Sequence, residues 1–209
     1  LQAGDITWEQ GLPDWSRGDG TSLHAADALL RLGLGGAFEL QLDTSYNRLS
    51  AAARHASGRS DSSLGLKFAL PASGDFSWGL LGSVTFTDGA RDFRGDARQY
   101  LLGAALNWQL NPRDSLGAYL ENVRSNGRDD HLVALNAGRA LSDAFGVYVE
   151  AAWQHAADAG NGSMAGAGAT WQATSRVQLD ASFRHRLGGV ADTWQAGIGV
   201  SVFFGRNGH

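Results

Sequence analysis

Segments of roughly ten residues, apolar at every second position, follow one another along the whole chain, and the connections between them are alternately short and long. Twelve such segments fall at roughly 4–12, 22–34, 37–49, 61–70, 76–88, 98–110, 114–125, 130–141, 144–155, 163–173, 176–187 and 192–204. A two-residue period is the signature of strands, and helical periodicity is nearly absent. Globular strands average about five or six residues, whereas a tilted strand needs about nine to eleven to cross a bilayer. Segment length therefore points to lipid on one face.

The connections point the same way. Gly35-Gly36, "PASGD" at 71–75, "NPRDS" at 111–115, "LSDA" at 141–144 and "ATSR" at 173–176 have the composition of tight turns. Between them lie longer polar stretches: "PDWSRGDGTS", "SAAARHASGRS", "TDGARDFRGDAR", "VRSNGRDD", "HAADAGNGS" and "LGGVADT". An outer-membrane barrel has short periplasmic turns and longer outside loops, while a Greek-key sandwich has no reason to keep that order. The reading is an all-β fold, a transmembrane antiparallel up-and-down β-barrel of about twelve strands, forming a single domain over residues 1–209. Its termini would lie in the periplasm of a Gram-negative bacterium.

Face content agrees. Phe38, Phe76, Trp108, Phe145 and Trp171 fall near short turns, and Tyr46, Phe86, Trp153, Phe183 and Trp194 near long ones. Two such aromatic bands are expected at the headgroup levels of a bilayer. Composition excludes other classes. A net charge of −4 gives no basic stripe for nucleic acid, and the absence of cysteine removes disulfides and thiolate metal sites. No run of about 20 apolar residues is present to form a transmembrane helix.

The faces opposite the apolar ones carry charge. Glu9, Asp27, Arg31, Glu39, Asp43, Lys67, Glu121, Glu150, Asp180, Arg184 and Arg186 are the candidate pore-lining residues. An Arg or Lys turned to lipid near mid-bilayer would cost roughly 2–4 kcal/mol, so these side chains belong inside. They could form a structural ladder of ion pairs or line a pore that selects what passes. Gly65, Gly79, Gly103, Gly117, Gly166 and Gly168 share those faces and are expected to leave space between the charges. A narrow channel for a small solute follows, with no cofactor and no metal.

Catalysis is the competing class. "RHASG" offers His55 and Ser57, and "RDDH" offers Asp129, Asp130 and His131. A serine hydrolase needs the imidazole within hydrogen-bond reach of the hydroxyl and a third group orienting it. Both stretches read more simply as solvated outer loops.

"RLGLGGAFELQLDTSY" at 31–46 and "SSLGLKFALP" at 62–71 resemble the outer-membrane channel family associated with the meta-pathway of phenol degradation. Its R-x-G-L…E-L-x-L hairpin and L-x-L-K strand match at Arg31, Glu39 and Lys67. The resemblance implies a monomeric twelve-stranded barrel for uptake of small, hydrophobic or aromatic molecules, with outer-membrane lipid as its surroundings. The last segment, Gln195-x-Gly197-x-x-Val200-x-Val202, also resembles the signal by which barrel-assembly machinery recognises a final strand.

Overall fold

The computed structural model describes residues 1–18, 20–69 and 74–205. It contains strands β1 (Ile6–Arg17), β2 (Thr21–Gly35), β3 (Phe38–Ala51), β4 (Arg54–Arg59), β5 (Ser63–Ala69), β6 (Phe76–Thr85) and β7 (Gln99–Gln109). There follow β8 (Asp114–Ser125), β9 (Arg128–Ala140), β10 (Phe145–Ala156), β11 (Gly160–Thr174), β12 (Val177–Gly189) and β13 (Trp194–Phe204). No helix occurs among the described residues.

Each strand pairs antiparallel with its sequence neighbour, and β13 returns to β1, with Ile6 opposite Phe204 and Arg17 opposite Trp194. The sheet closes on itself, and apart from the outer side of β4, which pairs only with β3, it leaves no strand edge open. Both β4 and β5 pair with β3, one above the other, so thirteen strand segments fill the twelve positions of a closed antiparallel barrel.

The two faces differ as the alternation requires. Leu102 is 65% exposed, Leu135 58% and Val149 58%, although all three sit mid-strand. Met164 and Ala191 are the buried hydrophobic residues among those described, so there is no conventional apolar core. A chain that leaves its leucines outside and its carboxylates inside is stable only where the outside is hydrocarbon. Aromatic contacts reinforce the band beside the short turns, where the rings of Phe38 and Phe68 lie 5.1 Å apart and those of Phe68 and Trp78 6.2 Å.

Several stretches expected to be loops are strand. β1 runs through Pro13 to Arg17, with a bulge between Gly11 and Asp14. Proline has no N–H to give to a ladder, and such residues are accommodated at bulges. There the Gln10 side-chain amide donates to the Asp27 carbonyl at 2.8 Å, across the same interruption. "RHASGR" is β4, which extends the β3 hairpin beyond the point where β5 begins. "VRSNGRDD" becomes a two-residue turn with Asn126 at φ 50° and Gly127 at φ 77°, the pairing of positive φ values that an Asn-Gly hairpin turn supplies. The turn expected at 71–75 and the tail at 205–209 lie largely outside the described residues.

Residues 86–98 remain a long connection, and they fold inward. The Asp61 carboxylate accepts the backbone N–H groups of Gly89 at 2.7 Å and Gly95 at 2.8 Å. Asp88 accepts from the Ser62 N–H at 2.8 Å, the Ser62 hydroxyl at 2.7 Å and Arg59 at 3.0 Å. A Cβ placed on Gly58 would lie 2.6 Å from that of Ala90 and 3.4 Å from the Phe93 ring. Gly58 pairs with Asn47, which is buried on the inner face, so the connection lies against the inside of the wall.

Candidate functional site in the barrel interior

Partners directly opposite in an antiparallel ladder share a face, so the register assigns every interior side chain. Glu39 lies opposite Lys67 and Gly33, Asp43 opposite Ser63 and Leu29, and Glu150 opposite Asn136 and Gly166. Asp180 lies opposite Thr170 and Gly199, and Arg184 opposite Gly166 and Gln195. In the ladder register these charged positions alternate with exposed apolar residues of the same strands, such as Trp8, Leu42, Leu66, Leu120, Val149 and Phe183.

They form groups, not one ladder. Arg31 joins Glu9 and Glu39, donating from Nη1 to Glu9 at 2.6 Å and through Nε and Nη2 to both oxygens of Glu39 at 2.7 and 2.9 Å. The second contact is the bidentate fork that guanidinium and carboxylate planes favour. Gln41 adds a fourth donor to this cluster, 2.8 Å from Glu39. Elsewhere Arg184 donates to Glu150 at 2.7 Å, and Arg186 to the Ala191 carbonyl at 3.2 Å. Glu121 accepts from the Tyr119 hydroxyl at 2.6 Å. Lys67 has no carboxylate within ion-pair distance among the described residues, although Glu39 is its register neighbour.

Beside the Arg31 cluster, acids gather. Glu9, Asp14, Asp27, Asp43 and Asp180 line one cavity of about 280 Å³, together with Gly11 and Gly199. Asp14 was missed because Pro13 reads as the end of a strand. The signal lay beyond it: Asp14 and Ser16 alternate with Trp15 and Arg17, continuing the strand period past the proline.

Most of the interior glycines do not leave gaps. A Cβ on Gly103 would meet the Tyr119 hydroxyl oxygen at 2.6 Å, and one on Gly168 would meet Tyr148 at 2.3 Å. Gly117 is covered by Asn136 at 2.3 Å, Gly197 by Asp14 at 2.0 Å and Gly199 by Asp180 at 2.5 Å. Gly166 is crowded by Arg184, at 2.8 Å from its Cγ, and by the Phe183 carbonyl, at 2.3 Å. These glycines let a polar side chain from a neighbouring strand lie flat along the wall, whereas at Gly65 a Cβ would come no nearer than 3.3 Å to Ser83 and at Gly79 it would meet the Phe68 carbonyl at 3.0 Å. At Gly103, Gly117, Gly166 and Gly168 this corrects the expectation of empty space. The glycines widen the lumen only indirectly, by keeping tyrosine, asparagine and carboxylate groups off its axis.

The hydrolase arrangement does not assemble. His55 Nδ1 lies 3.1 Å from the Ser50 hydroxyl, while Ser57 sits opposite Arg48 in the ladder. Asp129 is paired with Arg124 at 3.2 Å, and Asp130 accepts from the Ala157 N–H at 2.8 Å. Among the described residues no cluster of His and carboxylates has the grouping of a metal site.

Known structures share this architecture. An outer-membrane channel from Pseudomonas putida F1, described as COG4313, superposes with a TM-score of 0.77 at 13% identity, covering 98% of this chain and 97% of that one. The KdgM porin gives 0.70 at 9% identity, with 96% and 99% covered. A channel described as the CymD monoaromatic hydrocarbon channel gives 0.54 at 9% identity, with 100% and 90% covered. No curated protein sequence matches the chain. The barrel fold is shared with these outer-membrane channels, and the family pattern extends over residues 1–204, well beyond the two short motifs that first carried the resemblance. The chain belongs to the family described as the putative MetA-pathway of phenol degradation.

Proposed function

We propose that the chain is a monomeric, single-domain channel for passive diffusion of a small hydrophobic or aromatic solute through a narrow, charge-lined lumen. It works without a cofactor, with its termini in the periplasm, and barrel-assembly machinery inserts it by its final strand. The observation that carries the reading is the interior itself. Its wall is polar, its tyrosines and carboxylates lie flat over glycines, and carboxylates surround the open cavity at Asp27, Asp43 and Asp180. The family description and the name of the monoaromatic hydrocarbon channel support the solute class. Eleven interior residues, from Glu9 through Arg186, are assigned to the pore wall, and the ion pairs Arg31–Glu39 and Arg184–Glu150 hold its shape.

Conductance of the purified protein in planar bilayers tests this. Discrete openings are expected, together with uptake of a monoaromatic solute into proteoliposomes. A second reading, a plugged structural barrel, is favoured by residues 86–98 lying against the inner wall and by Ala191, only 2% exposed, seated on Gly162. Absence of conductance at every salt concentration would select it.

A further inference from the structure

The described histidines are distributed unequally. His24, His55, His131, His155 and His185 all lie at the rim that carries the Asn126-Gly127 turn, and the ladder puts each on the outward face. The opposite rim carries aromatic residues on that face, among them Phe38, Phe76, Trp108, Phe145 and Trp171.

Part of the histidine-bearing rim is concave. Trp15, Arg17, His24, Ser50, His55 and Trp194 line a cleft of about 510 Å³. Arg17 pairs across the ladder with Trp194 on one side and Ser22 on the other, and Ser22 in turn lies opposite Ser50, which lies opposite His55. One row lower, Trp15 pairs with Ala196 and with His24, whose ring it meets edge-on at 6.3 Å. The cleft thus crosses the first four strands and the seam. No carboxylate is among the described residues that line it. Directly below, Phe183, Ile198 and Tyr46 continue the exposed apolar face.

Each feature narrows the ligand. A guanidinium offers a planar fork of donors that fits phosphate oxygens. Two imidazoles and a serine add hydrogen-bonding groups, and the indole rings present flat, half-wet surfaces suited to the apolar face of a sugar. The adjoining lipid-facing surface requires that the same molecule carry acyl chains. We propose that this cleft seats the phosphorylated sugar headgroup of an outer-leaflet glycolipid, fixing the barrel's depth and rotation at the seam. The assignment rests on the orientation proposed above, with this rim at the cell exterior.

The test uses the full-length folded protein in detergent and lipid A carrying both phosphates, scored by native mass spectrometry. Wild type should retain one lipid A, and Arg17→Ser combined with His55→Asn should weaken binding at least tenfold. Arg139→Ser, on the opposite rim, should leave it unchanged. Lipid A stripped of phosphate and phosphatidylglycerol should both bind at least tenfold more weakly than intact lipid A. Equal binding by phosphatidylglycerol, or by the double variant with its barrel folded on an unheated gel, would overturn the proposal. Orientation is read separately. The chain has no cysteine, so Ala53→Cys can be labelled alone with a membrane-impermeant maleimide. Labelling on intact cells supports the outward placement; labelling only after permeabilisation overturns that placement and the glycolipid site with it.

Discussion

Replacing Arg31 by methionine should cost the barrel about 3 kcal/mol, as expected when a buried ion pair loses one partner. The guanidinium makes two bonds to Glu39 and one to Glu9, and the Glu39 side chain is only 8% exposed. Breaking such a pair by removing one member typically costs about 3–5 kcal/mol, because the remaining charge stays buried without compensation. Two observations put the expected value at the lower end. Gln41 still donates to Glu39 after the change, and Glu9, with its side chain 32% exposed, can recover water. The loss corresponds to a shift on the order of a hundredfold in the folding equilibrium. Urea unfolding in lipid vesicles, followed by tryptophan fluorescence, measures it. Adding Glu39→Met to Arg31→Met should restore at least half of the loss, since an apolar pair can replace a buried ionic one. A single variant within about 0.5 kcal/mol of wild type, or strict additivity of the two changes, would refute the reasoning.

Three further outcomes are expected. Gly168→Ala should drive the Tyr148 ring off the wall and reduce single-channel conductance, because its new Cβ would stand 2.3 Å from that ring; an unchanged conductance would show that the tyrosine lies elsewhere. Combining Asp27→Asn, Asp43→Asn and Asp180→Asn should lower the preference for potassium over chloride, read as a reversal potential across a salt gradient. Ser62 and Arg59 hold the Asp88 carboxyl down to about 2, so its grip on residues 86–98 should be complete above the ordinary carboxylate range. That contribution should fade as pH falls toward 2, a depressed acid being lost on protonation. A spin label at Arg91→Cys should then gain mobility between pH 4 and 2, and should already be mobile at pH 7 when Asp88→Asn is added.

Twelve of the strand positions were legible because the period of two survives any turn chemistry, and β8 matches its expected range at both ends, 114–125. What the sequence concealed was where strands continue past residues that ordinarily stop them. Pro13 concealed Asp14, and the polarity of "RHASGR" disguised β4, whose outward Ser57 and His55 stand in water above the hydrocarbon. The alternation marks charged positions one at a time, and it carries no information on how they group. Arg31 meets Glu9 and Glu39 through register across three strands, and register depends on a bulge that no local pattern announces. The glycines were misread for a related reason. Their neighbours across the ladder, Tyr119 over Gly103 and Tyr148 over Gly168, lie many residues away in the chain.

The pairing of β1 with β13 also sets the order in which the barrel can form. All other neighbours in the wall are close in sequence, most joined by short hairpins, with β4 between β3 and β5 and residues 86–98 between β6 and β7, so they can zip locally, whereas Ile6 must find Phe204 across nearly the whole polypeptide. Closing a flexible loop of that length costs roughly 5 kcal/mol of entropy, against well under that for a two-residue hairpin. Until the seam forms, β1 and β13 both offer unpaired backbone to any passing strand. Closure is therefore expected to be the last and slowest event, and the bulge at Gly11–Asp14 acts on it directly by fixing which residues of the first strand can meet the final one.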